Sequence, residues 1–430
     1  LKLKKWIVAG SAILVAAGAA PWGVGYVTEQ QWFQAVDEVN RSQAFVTMET
    51  DQYQRGLLGA DATGSLVVID PSTGEHHRVD FRMTVSHGVT GSLMDFQPVD
   101  GWQPEGADWF PEGDPRLTLE TRLWGSGVLE LKMPVTRIQS PDGIENLRSS
   151  GGLARLDVGS MGQQADLLVV MPGLQLDSPE AQVSIDDFQA EQSMEWLSGD
   201  IWTGSGTMTI KQLSFLGPGA PRMTVEGLAV DSRSEANDDG SRLDSEVSFS
   251  LDSTRMEGQA YGPHRVTLSL EHLDVANWND FSTNLAEMQA LALQDPDDPQ
   301  AAFEQQMVLM QRVNDSLQGL VAAGFSAGIP ELSVSTPEGV VEGSLSLSHP
   351  ELSEEERQQM LMVMQRLTGQ VDLSLPAALA ENYPSVRMQA APLIKQGLLV
   401  EEGDRLVLEG RMKDMVLTIN GQDLPLPPLF

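Results

Sequence analysis

The sequence predicts an α+β fold dominated by strands: a long, twisted, mainly antiparallel sheet with helices packed in the C-terminal half, preceded by one transmembrane helix. Three observations carry this prediction. Short alternating runs such as Val266-Thr267-Leu268-Ser269-Leu270 recur from Phe45 onward between Gly, Pro, Asp and Ser clusters, as in antiparallel strands with one buried and one wet face. After Trp278 the apolar spacing lengthens to the helical period. Ahead of both, Lys2, Lys4 and Lys5 precede an uncharged run from Trp6 to Val27.

As a helix that run is about 33 Å long, which matches a bilayer core of about 30 Å. Lysines precede it and Glu29, Asp37 and Glu38 follow, so the positive-inside rule leaves the N-terminus in the cytoplasm and sends the body outward. The expectation is a single-pass inner-membrane protein, inserted through residues 6–27, with its C-terminal body in the periplasm. Trp22, Tyr26 and Trp32 lie near the exit, where aromatic rings favour the headgroup layer. A second reading takes the same segment as a signal peptide cut before Ala20, after Ala17-Gly18-Ala19. Both readings export the body, and the missing cysteine excludes a lipoprotein anchor. Three regions follow: an anchor over 1–28, a β-rich region over 29–275, and a helix-containing region over 276–430 that completes the sheet.

Trp32, Phe33, Val36 and Val39 recur at helical spacing and predict a short amphipathic helix over 29–40. Strands are expected over 45–49, 64–69 and 78–85, with Asp70-Pro71-Ser72-Thr73-Gly74 as a turn. The stretch 91–115, rich in Pro, Gly and Asp, reads as a long packed loop. Further strands are expected through Leu270, with the polar stretch 231–242 as a hairpin tip. Helices are expected over 281–293 and 301–323, then one opened by Ser353 and Glu356 in a capping box. A last helical segment starts at Pro376 before closing strands.

Composition narrows the chemistry. With 27 basic and 61 acidic residues the formal charge is −34, which excludes a general nucleic-acid binder. Such a lysine-poor surface suits high salt, or is an acidic exterior with no special meaning. Without cysteine there is no thiol nucleophile, disulfide or thiolate metal site. Gly324-Phe325-Ser326-Ala327-Gly328 fits the hydrolase elbow in letters only, because the elbow needs a strand-to-helix turn and this stretch follows a helix. His76 and His77 point to opposite faces of a strand. The Asp295–Asp298 run lacks the glycine and closing glutamate of a calcium loop. No cofactor, metal site or catalytic residue is expected. Phe303, Met307 and Met310, with Met360 and Met364, read either as core or as a face for acyl chains or a partner helix.

Tyr53-Gln54-Arg55-Gly56-Leu57-Leu58 is followed by a strand and then by His87-Gly88; His272-Leu273-Asp274 and Asn420-Gly421 stand near later strand ends. In this order the motifs resemble the YdgA-like family of bacterial envelope proteins, a domain of unknown function, across nearly the whole chain. The chain departs at Gly59 and Ala60, where the family often has small hydroxyl residues, and at Val89, where proline often follows. The resemblance implies a single N-terminal anchor, a periplasmic body and self-association, with Tyr53, Gly56, Leu57, His87 and Gly88 at family turns. It implies no catalytic residue. The expected function is therefore that of a non-enzymatic envelope protein that binds a protein partner or forms a homo-oligomer. The alternative is a carrier of lipid or another hydrophobic ligand in a groove between the sheet and the Met-rich helices.

Overall fold

A computed structural model describes residues 23–37, 39–41, 45–70, 75–140, 142–292, 299–357 and 365–425. Two compact units divide the chain, Leu1–Ser193 and Met194–Phe430. Among the described residues every strand pairing is antiparallel.

The first unit is a meander. Its strands are β1 (Val46–Arg55), β2 (Gly59–Ile69), β3 (His76–His87), β4 (Gly91–Pro98), β5 (Arg116–Arg122), β6 (Gly127–Met133), β7 (Thr136–Gln139), β8 (Asn146–Ser149), β9 (Gly152–Val158) and β10 (Gln164–Asp177). β1 to β6 pair in chain order. β6 pairs β9 and β7 pairs β8, so one long hairpin is interrupted near Pro134, and β10 runs along both β8 and β9. Proline removes a ladder donor, which accounts for a break there.

Alternation selects the buried face. In β3 Phe81, Met83, Val85 and His87 are buried while Arg82, Thr84 and Ser86 are exposed. Helix α1 (residues 23–37) lies against this face and inserts Trp32 and Val36 among Ala60, Ala62, Phe81, Met83, Val85 and Met94. Small residues on β2 make the room. A Cβ on Gly64 would stand 2.2 Å from the Glu49 carbonyl oxygen and 2.8 Å from Phe81. Trp32 meets Phe96 and Phe81 at ring centroid distances of 5.8 and 6.3 Å, and its Nε1 donates to Thr50 Oγ1 at 3.0 Å.

Three expectations change. Trp32, assigned to a headgroup layer, is a core residue, because its ring finds an apolar platform on the sheet. Helix α1 starts by residue 23, ahead of the expected 29. The stretch 91–98 is strand β4 instead of loop, since Ser92 and Met94 alternate inward behind the glycine that masked the pattern. Among the described residues no helix is long and apolar enough to cross a membrane, while residues 6–22 of the expected span lie outside them.

β11 (Gln182–Ser198) carries the division between the units. The second unit continues with β12 (Ile201–Leu216), β13 (Met223–Ala236), β14 (Arg242–Leu251), β15 (Ser253–Met256), β16 (Gln259–Tyr261) and β17 (His264–Asp274). Then come α2 (Val275–Ala292), α3 (Pro299–Ala322), β18 (Phe325–Thr336), β19 (Gly339–His349), α4 (Glu354–Arg357) and β20 (Thr368–Pro376). α5 (Ala377–Asn382), α6 (Pro384–Lys395), β21 (Val400–Glu402), β22 (Arg405–Lys413), β23 (Val416–Ile419) and β24 (Gln422–Pro425) close the chain. β12, β13, β14, β17, β18, β19, β20 and β22 pair in that order. The helices are inserted between neighbouring strands of this ladder.

Local chemistry explains the insertions. Asp274 Oδ1 accepts from the Asn277 N–H at 2.9 Å and so caps the first turn of α2. Val275, Leu320, Ile201, Leu243 and Leu273 form the core where the helices return to the sheet. The Ser353–Glu356 box is present, with Ser353 N donating to Glu356 Oε2 at 3.1 Å and Glu356 N to Ser353 Oγ at 3.4 Å. The polar stretch 231–242 is mostly strand, and only residues 237–241 turn, because Asn237 and Asp239 side chains accept the backbone N–H groups of Arg242 and Ser241.

Candidate functional site

Three separate stretches of the first unit converge at one end of its sheet. The β1–β2 turn closes with Gly56 N donating to Gly59 O at 2.7 Å, and the β3–β4 turn with Gly88 N donating to Gly91 O at 2.8 Å. His87 N donates to Leu58 O at 2.9 Å and ties the two turns together. The N-terminal end of α1 lies over them. A Cβ on Gly25 would stand 2.7 Å from His87 Nε2, so only glycine lets the helix approach the imidazole this closely.

A chain of hydroxyls holds the ring. His87 Nδ1 and Ser92 Oγ share a hydrogen bond of 2.9 Å, and Ser92 Oγ and Thr28 Oγ1 share one of 2.8 Å. Among the described residues His87 Nε2 has no hydrogen-bond partner. Burial holds the imidazole below the ordinary histidine pKa, and the positive charge of Arg55 adds to that effect. Arg55 donates to Glu29 Oε2 at 2.7 Å and stands 5.4 Å from the centre of the Tyr26 ring. Tyr53 packs beside Phe33, with ring centroids 6.0 Å apart. Its phenol is pushed up to about 12 by burial and by the negative charge of Glu29, against the opposing charge of Arg55.

Thus Tyr53, Gly56, His87 and Gly88 come together, and Leu57 sits at the tip of the β1–β2 turn with its side chain in solvent. A buried histidine held by Ser92, which is held in turn by Thr28 of the helix, is suited to clamping that helix onto two hairpins. Gly25, Thr28 and Ser92 escaped the sequence reading: the first lay inside an apolar run, and the last two are common polar residues whose burial is tertiary.

The second predicted face is divided. Phe303, Met307 and Met310 are exposed on α3, together with Val308, while Leu309 and Leu320 are buried. Met360 and Met364 lie outside the described residues, as does Asp295–Asp298. Ser326 belongs to strand β18, opposite Glu271 and Ser348, and not to a strand-to-helix turn. It lines a cavity of about 300 Å³ with Arg242, His272, His349 and Glu351. Arg242 fills the role of a staple there. Its Nη1 donates to the carbonyls of Ala323 and His272 at 2.8 and 3.0 Å, and its Nη2 to Glu351 Oε2 at 3.3 Å, which joins the end of α3 to the sheet. The later family motifs mark strained backbone: His272 and Asn420 have φ of 61° and 45°. Among the described residues no group of three or more His, Asp or Glu is placed to hold a metal ion.

These features define a β-rich protein whose N-terminal helix is clamped to a meander by a Tyr-x-x-Gly-Leu turn and a His-Gly turn. A family model described as a bacterial protein of unknown function (DUF945) matches residues 3–427, and the chain belongs to that family. It is similar to Protein YdgA of Escherichia coli (strain K12), 21% identical over 189 residues, which are 43% of this chain and 38% of that protein. The chain therefore aligns with well under two thirds of that relative's length. No solved structure matches.

Proposed function

We propose that this is a non-enzymatic protein of the bacterial envelope, anchored in the inner membrane by its N-terminal segment, with a periplasmic body that acts by binding protein and assembling with itself. The observation that carries the reading is the outer face of α3. In a chain of charge −34, Phe303, Met307, Val308 and Met310 stand together in solvent on successive turns. Adjacent large apolar side chains of this kind mark interaction surfaces. Methionine adapts its shape to a partner. The lysines before residue 6 and the uncharged run after them support the anchor and its orientation.

Native mass spectrometry of the full-length protein, gently extracted from membranes, tests the reading, with lipid extraction of the same sample. A dimer or higher species that dissociates on Phe303→Ser/Met307→Ser/Met310→Ser is the expected result. A monomer with one acyl lipid bound per chain would replace this reading with that of a lipid carrier.

A further inference from the structure

We infer that the first unit dips one end of its sheet into the surface of the bilayer, through the tips of three hairpins that stand beside the N-terminal helix. The inference rests on the anchor reading above and gives the anchored body an orientation and a second point of membrane contact.

The meander sorts its connections into two ends. Strands β1, β3 and β5 run toward one end, so the β1–β2, β3–β4 and β5–β6 turns all lie there. Leu123 N donates to Thr90 O at 3.0 Å and joins the third turn to the second, as His87 joins the second to the first. Helix α1 begins at the same end. Gly25 meets His87, Glu29 meets Arg55, and Asn40 at the far end of the segment donates to Met48 O at the start of β1. The chain that precedes residue 23 is the uncharged run from Trp6, so the expected span reaches the body where these tips are.

The tips have the composition of a membrane interface. Leu57, Leu58 and Val89 are 60%, 67% and 58% exposed, Trp124 53%, and Leu123 and Tyr26 stand out in solvent beside them. Residues 55–59, 87–91 and 122–127 contain no Asp or Glu and two arginines, Arg55 and Arg122, and residues 159–163, at the same end, also contain no acid. The opposite end also exposes Phe45, Val99 and Ile144, but its charge is the reverse. Connections 70–75, 99–115, 140–145 and 178–181 carry two, five, two and one acidic residues, with no Lys or Arg. A chain of charge −34 that keeps Asp and Glu out of these tips, with Arg55 and Arg122 paired to Glu29 and Glu120 behind them, and that exposes leucine and tryptophan there, is complementary to the headgroup and acyl boundary. Glycines on both sides of the first two tips, and after Leu123 and Trp124 in the third, let the turns close tightly and leave the apolar side chains prominent.

The absence of cysteine makes a direct test simple. Single variants Leu57→Cys, Val89→Cys and Trp124→Cys, with Ile144→Cys at the opposite end and Ala12→Cys in the span, are labelled with an environment-sensitive fluorophore. The full chain is reconstituted into vesicles of phosphatidylethanolamine and phosphatidylglycerol. The three tip labels are expected to be quenched by nitroxide-bearing lipid and to be at least about threefold less accessible to aqueous iodide than the Ile144 label, as for groups at the headgroup boundary. Thr90→Cys replaces any tip variant whose thermal melt departs from that of the parent. Tip labels as accessible to iodide as Ile144, with the Ala12 label in lipid, would overturn the inference and leave the anchor standing. Every label in water, Ala12 included, would overturn both. Quenching by lipid at Ile144 equal to that at the tips would also overturn it, since no end would then be preferred.

Discussion

The two units use the same antiparallel ladder but cover it differently. In the first, one helix laid along the sheet completes a core in which Met83 and Met94 are fully buried. In the second, the helices are inserted between strands and build small cores near the strand ends, while Phe215, Phe249, Leu268 and Leu345 stay substantially exposed along the ladder. Ladder hydrogen bonds hold a strand without covering its side chains. A sheet thus gains a dry core only where another element lies on its face, and the uncovered remainder is surface for something else.

The largest test of that contrast is Trp32→Ala, which removes the ring that seals the first core. The expected loss is about 3–5 kcal/mol, read from urea unfolding followed by tryptophan-independent circular dichroism. No exposed aromatic of the second ladder should approach it, and Phe249→Ala is the matched control. A loss below that of the control would show that the helix merely rests on the sheet.

The staple of the second unit comes next. Arg242→Ala strips the Ala323 and His272 carbonyls of their donor and is expected to cost about 1–3 kcal/mol, with faster hydrogen exchange at the end of α3. In the first unit the clamp is steric. Gly25→Ala drives a methyl against His87 and is expected to cost about 1–3 kcal/mol, whereas Gly23→Ala, which meets nothing within 4 Å, should be neutral or slightly stabilising. In the double variant with His87→Ala most of the Gly25 penalty should vanish, and an additive result would place the strain elsewhere.

Titration gives a smaller effect confined to the first unit. The His87 pKa is lower folded than unfolded, so between the folded value and 6.5 the unfolded chain binds more protons. The clamp's contribution is complete above pH 6.5 and is lost as pH falls toward the folded value. Tyr53 acts at the other limit. Its phenol keeps its proton up to about 12 when folded but releases it near 10 when unfolded, so stability declines as pH rises through that interval. Melting curves of His87→Gln and Tyr53→Phe should be flatter than the parent in the acid and alkaline windows respectively. The smallest effect belongs to the outer face of α3, where the triple serine variant should change stability by no more than about 0.5 kcal/mol while altering assembly.

Strand grammar was legible wherever polar and apolar residues alternate, as in β3, and it failed where small residues carry the inward positions. Ser92 is buried in β4 as completely as a hydrophobe, yet nothing in its identity announces that. Serine and glycine in β12 and β13 likewise gave no apolar period, so the strands run longer than their patterns. The family turns were legible as motifs at Tyr53, Gly56, Leu57, His87 and Gly88. Their convergence was not, because it depends on β1 and β3 ending at the same edge of a meander.

The sequence by itself determined the β-rich class, the helical insertions after β17 and β19, the capping box at Ser353, the acidic charge and the family. These are written in local periodicity, turn chemistry and residue counts, all of which act over a few neighbours or none. Tertiary structure alone decided that Trp32 is core, that Gly25 must be glycine, that Arg242 holds α3, and that acid-free apolar tips gather at one end of the first sheet. Each of those depends on residues far apart in the chain, and only strand direction and register bring such residues into contact.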